Sequence, residues 1–373
     1  MARRRLKHAT PRARTPHPRI VEGQESVALS KQQFLERFSA RFDDPAFHGT
    51  RAELDAVAEI AWDGYHAYRK SPNARKAGRG FAIPAYELPV EWLAARRAIA
   101  DAEKKQRDRR SRSRILVING SARSDQSCPG EVSKSWRLCE HVIKTIEAQP
   151  RTETDFLDLS RLTSEYGRVI YPCKGCVSTA QPLCHWPCSC YPNHAMGQTG
   201  DWMNEIYPRF SAAHGVIIVT PVNWYQAPSV LKLLIDRLVC ADGGNPDPTT
   251  TDGKDPLLAK KVELAGWDYP KHLAGRAFAV IVHGDVAGAE NLRRMLVDWL
   301  TDLDLVPAGP HAGLDRYIGY YGKYATSHDD LDADRPVWDE VRNTALGLVE
   351  TVRQIRSGAY RRPDEGLEAP RKK

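Results

Sequence analysis

The sequence predicts a doubly wound α/β fold. A five-stranded parallel sheet in the order 2-1-3-4-5 carries helices on both faces, and a helical N-terminal extension precedes it. Three observations lead there. From Arg114 onward, short apolar runs alternate with segments of helical periodicity. Val216-Ile-Ile-Val219 is four consecutive apolar residues, as in a parallel strand covered on both faces. No apolar run approaches the length of a membrane span, so a soluble, cytoplasmic protein without membrane contact is expected.

The elements follow in chain order. Residues 1 to 22 read as a disordered basic tail and 23 to 112 as the helical extension. Within the extension, Leu35, Phe38 and Phe42 make one short apolar face, and Leu54, Val57, Ala61, Tyr65 and Tyr68 make a second. A loop with two Pro and two Gly spans 71 to 88. Pro89 opens a third helix through Trp92, Leu93 and Ile99. The extension holds no catalytic constellation and reads as a dimerisation arm or a lid.

The sheet unit is expected over 113 to 325. Its strands are Ile115 to Ile118, Thr154 to Leu159, Val216 to Val219, Ala277 to Val282 and a short one at Leu305 to Pro307. Helices are expected near Glu131 to Ile146, Asp201 to Ala213, Pro228 to Leu238 and Glu290 to Leu303. A cysteine-rich insertion occupies 170 to 195. A helix at Val337 to Ile355 closes the chain on the core, and a polar tail ends the segment 326 to 373.

The net charge of +7 is local. Residues 1 to 19 hold seven Arg and Lys and no acid, which leaves 47 basic and 47 acidic residues elsewhere. A charge run gives only non-specific attraction, so a solvated tail is favoured over nucleic-acid contact. No signal peptide is expected, because no apolar core follows the basic start, and an organelle transit peptide is disfavoured by the lack of an amphipathic pattern.

Two loops at strand ends carry chemistry. Asn119-Gly-Ser-Ala-Arg-Ser-Asp-Gln-Ser127 follows the first strand. Backbone N–H groups before a helix make an anion site, to which Ser121, Ser124 and Ser127 add hydroxyls and Arg123 a charged fork. It is neither the three-glycine dinucleotide fingerprint nor a Walker loop. The second loop, Pro221 to Gln226, brings two aromatics and two amides to the end of the third strand, where open sheets bind ligands. Flat groups of this kind suit a flat, hydrogen-bonding heterocycle.

From about 114 to 310 the chain resembles the NADPH-dependent FMN reductases of the flavodoxin-like superfamily, and in particular their iron–sulfur flavoprotein branch. The family's phosphate loop is matched by Gly120, Ser121, Arg123 and Ser127. Its Thr-Pro loop and following helix are matched by Thr220, Pro221, Trp224, Ser229, Leu231, Lys232, Asp236 and Arg237. Asn223 stands where the family usually has Tyr. The resemblance implies that Ser121, Arg123 and Ser127 hold the FMN phosphate. It further implies that Pro221, Val222, Asn223, Trp224, Tyr225 and Gln226 line the ring, with His283 and Gly284 closing its other edge. His283 is a candidate proton donor, although a plain polar contact is the favoured role. Lys232 and Asp236 are one helical turn apart and read as a surface ion pair.

Five of the eight cysteines lie between 173 and 190, spaced Cys173-x2-Cys176-x7-Cys184-x3-Cys188-x-Cys190. Such clustering points to metal, cluster or redox chemistry. Four of the five would serve a 4Fe-4S cluster or, as a weaker alternative, zinc, and binding of no metal also remains open. Thr179 replaces the third cysteine of the iron–sulfur flavoprotein pattern. Cys128, Cys139 and Cys240 read as small packing residues.

The function expected is an FMN-dependent NAD(P)H oxidoreductase. Hydride passes from the nicotinamide to flavin N5 and on to a quinone, flavin or other small acceptor, so the catalytic atoms belong to the cofactor. The alternative is an iron–sulfur flavoprotein electron carrier that uses no nicotinamide. A homo-oligomer, dimer or tetramer, is expected.

Overall fold

The computed structural model describes residues 18–320, 322–363 and 365–367. The expected disordered tail lies, through residue 17, outside the described residues. The N-terminal extension contains α1 (Lys31–Ser39), α2 (Arg51–His66), β1 (Ala74–Lys76), β2 (Glu87–Pro89) and α3 (Val90–Arg107). Ser30 starts α1 with a capping box to Gln33. β1 and β2 form a small antiparallel pair inside the segment expected to be a loop.

The main unit runs β3 (Ser113–Asn119), α4 (Lys134–Glu147), β4 (Thr152–Asp158), α5 (Arg161–Ser164), α6 (Met203–Ala212) and β5 (Gly215–Pro221). It continues through α7 (Ser229–Arg237), α8 (Pro256–Leu264), β6 (Ala277–Gly284), α9 (Ala289–Asp302), β7 (Val306–Pro307), β8 (Gly313–Tyr317), α10 (Ser327–Ala333) and α11 (Arg335–Ser357). The main sheet is parallel throughout, in the order β4-β3-β5-β6. Its outer position is shared by β7 and β8, which pair successive stretches of β6. This is the flavodoxin-like order 2-1-3-4-5, with its fifth strand broken by a 3₁₀ turn at Gly309–His311. The continuation at Gly313–Tyr317 extends the fifth strand past the end expected from sequence.

Side chains alternate across the sheet, as the two-residue period of a strand requires. Leu116, Ile118, Val216, Ile218, Phe278, Val280 and Val282 pack under α6, α7 and α9. Ile115, Val117, Ile217, Val219, Ala279 and Ile281 pack under α4 and α11. Both faces are covered, which is why these strands read as unbroken apolar runs.

The extension docks on the first of these layers. Ile99 of α3 joins its core. His214 Nε2 bonds Gln106 O at 2.9 Å, and Trp92 Nε1 donates to Pro187 O at 2.9 Å. A buried ion pair, Arg237 with Asp201, ties α7 to the segment before α6. The same guanidinium donates to Tyr171 O at 2.8 Å and stacks over Tyr191. No helix among the described residues is long and apolar enough to cross a membrane.

Candidate functional site

The loop after β3 turns sharply beneath β5. A Cβ on Gly120 would stand 2.7 Å from Thr220 Oγ1, so only glycine fits this close approach. Beyond it the serines spend much of their hydrogen bonding on the loop itself. Arg123 N donates to Ser121 Oγ at 3.1 Å and Ser124 N to Ser127 Oγ at 2.9 Å. Ser127 Oγ in turn donates to Ser124 O at 2.9 Å. Arg123 pairs with the Glu131 carboxylate and donates to Glu131 O at 3.1 Å.

α4 starts later than expected, at Lys134, because Ser133 is its cap and accepts from Trp136 N at 3.1 Å. This places Lys134 and Ser135 in the buried first turn. Lys134 Nζ lies 3.2 Å from Asp285 Oδ2 and 3.4 Å from Ile318 O. Ser135 Oγ lies 2.7 Å from His283 Nε2. Burial, reinforced by the Lys134 ammonium, pushes His283 down to about 3, so the imidazole is neutral at physiological pH. Its Nδ1 is buried without a hydrogen-bond partner.

The facing wall comes from β5. Val222 N donates to His283 O at 2.9 Å. Asn223 and Gln226 then exchange two backbone hydrogen bonds of 2.9 Å around Trp224 and Tyr225. Both central residues have positive φ, 47° and 63°, which makes a type I′ turn. That turn favours Asn and Gly, and a bulky side chain there costs about 1–2 kcal/mol. Trp224 is 92% exposed and Tyr225 59%. Gly288, at φ +110°, passes beneath the turn, where a Cβ would stand 2.8 Å from Tyr225 Cα.

Between these walls lies a cavity of about 320 Å³ at the carboxyl ends of β3, β5 and β6. It includes the crevice between β3 and β5, the switch point where strand order reverses and open sheets take ligands. Of the residues singled out in the sequence, Ser121, Arg123, Pro221, Val222, Asn223, His283 and Gly284 line it. Ser127, Trp224, Tyr225 and Gln226 do not. Ser127 closes its own turn, and the other three follow Asn223 out toward solvent. Ser133, Lys134, Ser135 and Asp285 also line the cavity, as do Tyr324, Ser327 and His328 from the chain's last third. The cap serine three residues before Trp136 was the available signal for the first three. Both lining carboxylates are neutralised, Glu131 by Arg123 and Asp285 by Lys134. Hydroxyls, a buried cation and the N-terminus of a 14-residue helix converge on one end, a donor set that fits a phosphate ester.

The model of the NADPH-dependent FMN reductase family matches residues 113–317. The chain belongs to that family. It is an FMN-dependent oxidoreductase by descent, and the matched span contains most of the cavity lining. Among solved structures, RosB with bound 8-demethyl-8-formylriboflavin-5'-phosphate is similar at 15% identity and TM-score 0.45, over 66% of this chain and 82% of that one. An apo NADH:FMN oxidoreductase is similar at 13% identity and TM-score 0.35, over 68% and 92% of the two chains. An FMN-dependent NADH-azoreductase from Bacillus anthracis in complex with FMN aligns at 15% identity and TM-score 0.35, over 63% and 99%. No curated protein matches the chain.

The cysteine insertion does not assemble the four-thiolate centre expected as one option. Cys173 points to a local contact, accepting from Gly175 N at 3.3 Å. Cys176 and Cys190 bring their sulfurs to 3.5 Å. The neighbour that reaches both sulfurs is a cation, Lys254, rather than a third ligand. Cys184 and Cys188 are buried thiols. Burial raises the Cys184 pKa, and hydrogen bonding to Cys190 together with burial raises that of Cys188. Cys176 is held down to about 6, first by its hydrogen bond with Cys190 and then, against burial, by Lys254. Among the described residues no group of three or more His, Cys, Asp or Glu side chains is arranged to hold a metal ion. The residues as placed do not fit an iron–sulfur cluster or zinc.

Proposed function

We propose that the protein is an NAD(P)H-dependent FMN oxidoreductase that passes electrons to a quinone, a flavin or another small acceptor. The observation that carries this reading is the cavity at the ends of β3, β5 and β6, phosphate-like at one end and walled by β5 at the other, within the span matched by the family. FMN, when bound there, would supply the hydride and electron-transfer chemistry.

The chain's own residues bind and orient. Ser121, Ser133, Lys134 and Ser135 hold the phosphate, with the first turn of α4 aiming backbone N–H groups at it. Arg123 adds a second positive charge at that end and keeps Glu131 neutralised. Ser127 contributes indirectly, by fixing the loop through Ser124. Pro221, Val222 and Asn223 line the ring, and Gly284 leaves room at its edge. Trp224, Tyr225 and Gln226 form the outer lip against which the nicotinamide and the acceptor dock. His283 serves as a neutral hydrogen-bonding group, because its depressed pKa leaves no charged proton to donate at neutral pH.

The test is anaerobic mixing of the FMN-loaded protein with NADH or NADPH. Loss of the oxidised flavin absorbance with one nucleotide, and its return on adding a quinone, is the expected result. If photoreduction bleaches the flavin and neither nucleotide does, the reductase reading fails and an electron carrier replaces it.

A further inference from the structure

The cysteine insertion holds an arrangement that the flavin cavity does not use. Cys176 opens a 3₁₀ turn and is half-buried, while Cys190, on the far side of the insertion, is buried. Their sulfurs stand 3.5 Å apart, at van der Waals contact. Closing to a disulfide at about 2.05 Å is a movement of side-chain scale.

Lys254, in the turn before α8, reaches the pair from a separate part of the chain. Its Nζ lies 3.3 Å from Cys176 Sγ and 3.2 Å from Cys190 Sγ. Its third partner is Leu183 O at 3.3 Å, so two of its three hydrogen bonds go to sulfur. An ammonium that bonds both sulfurs holds the two of them side by side in a mostly buried place.

We propose that Cys176 and Cys190 are a redox-active pair that reduces a small hydroperoxide and closes to a disulfide, with Lys254 as its positioning residue. Cys176 Sγ, the more accessible sulfur, attacks the terminal peroxide oxygen. The O–O bond breaks, an S–O bond forms, and the alcohol (or water, from hydrogen peroxide) leaves with a proton. Cys190 Sγ then attacks the Cys176 sulfenic acid, the S–S bond forms and water leaves. Two thiols lose two electrons and the peroxide gains them. A dithiol reductant reverses the change. The oxidant must be small, because Cys176, the sulfur it meets, is itself half-buried.

Closure would brace the face on which the N-terminal extension docks. Lys70 donates to Ser189 O, and Trp92 Nε1 to Pro187 O at 2.9 Å, both within the loop that the disulfide would close.

The experiment uses the full chain, purified anaerobically without thiols and treated with hydrogen peroxide, both with and without FMN. Peptide mapping under non-reducing conditions is expected to find a Cys176–Cys190 disulfide, two of the eight thiols lost, and full recovery with dithiothreitol. Cys176→Ser is expected to abolish the cross-link. Lys254→Met should slow oxidation at neutral pH by about tenfold, and Lys254→Arg should restore most of the rate. A cross-link between other cysteines overturns the proposal, and so does oxidation of Cys176 to sulfinic acid without a cross-link. A stoichiometric iron–sulfur or zinc centre that shields these thiols from alkylation also overturns it. The mapping uses the wild-type protein, so a variant that fails to fold does not obscure the answer. The result is independent of the flavin reading.

Discussion

Replacing Lys134 with methionine isolates the charge at the N-terminus of α4. The side chain is 9% exposed, and its ammonium bonds Asp285 at 3.2 Å and Ile318 O at 3.4 Å. Methionine keeps most of the packing and removes the cation. Asp285 is 29% exposed, so water can solvate the carboxylate left behind and the fold should survive. A hydrogen bond to a charged group contributes about 1.5–3 kcal/mol, which at roughly 1.4 kcal/mol per decade means a 10- to 150-fold weaker FMN complex. Riboflavin has the same ring and no phosphate, so its affinity should stay within about twofold if the Lys134 contact is to phosphate. The assay is fluorescence titration of apoprotein with both ligands, alongside a thermal melt. An equal loss for FMN and riboflavin, or no loss for either, would refute the assignment of Lys134 to the phosphate.

Four other outcomes follow from the geometry. Trp224→Gly relieves a left-handed residue in the type I′ turn and should raise stability by about 1 kcal/mol in urea unfolding, while lowering kcat/KM for the nicotinamide. Gly288→Ala forces a Cβ to 2.8 Å from Tyr225 Cα at φ +110°, and denaturant unfolding should register a loss of about 1–3 kcal/mol. Asp201→Asn leaves Arg237 buried beside a neutral amide, and unfolding should show a loss of about 3–5 kcal/mol, the range for a broken buried pair. The fourth concerns pH. The unfolded chain protonates His283 near its ordinary value of 6.5, whereas the folded chain resists protonation until about 3. Stability is therefore present above 6.5 and lost as pH falls toward 3, at up to about 1.4 kcal/mol per unit from this group. Urea unfolding at several pH values should show this slope, and His283→Asn should flatten it.

The central strands were legible because burial on both faces leaves them no choice but apolar residues. Ile115–Ile118, Val216–Val219 and Ala277–Val282 all lie inside observed strands. The edge was harder. Gly313-Leu-Asp-Arg-Tyr317 buries only Leu314 and carries two charges, so it lacks that signature. The small pair β1–β2 hides in a segment with Pro and Gly for the same reason. In the cavity, the two loops announced themselves by serine, proline and aromatic content. Lys134 and Ser135 were hidden by a helix start placed three residues too early. The contact of Lys254 with Cys176 and Cys190 spans 78 and 64 residues, and only the tertiary fold can bring those groups together.

The central claim is that FMN sits at the ends of β3, β5 and β6 with its phosphate on the first turn of α4. A crystal structure of the protein with FMN tests it most directly. The account predicts phosphate oxygens within hydrogen-bond distance of Ser135 or Lys134 and the ring against Pro221 to Asn223. Flavin bound instead in the larger, open hollow beside Tyr317 and Asp330, of about 790 Å³, would contradict it.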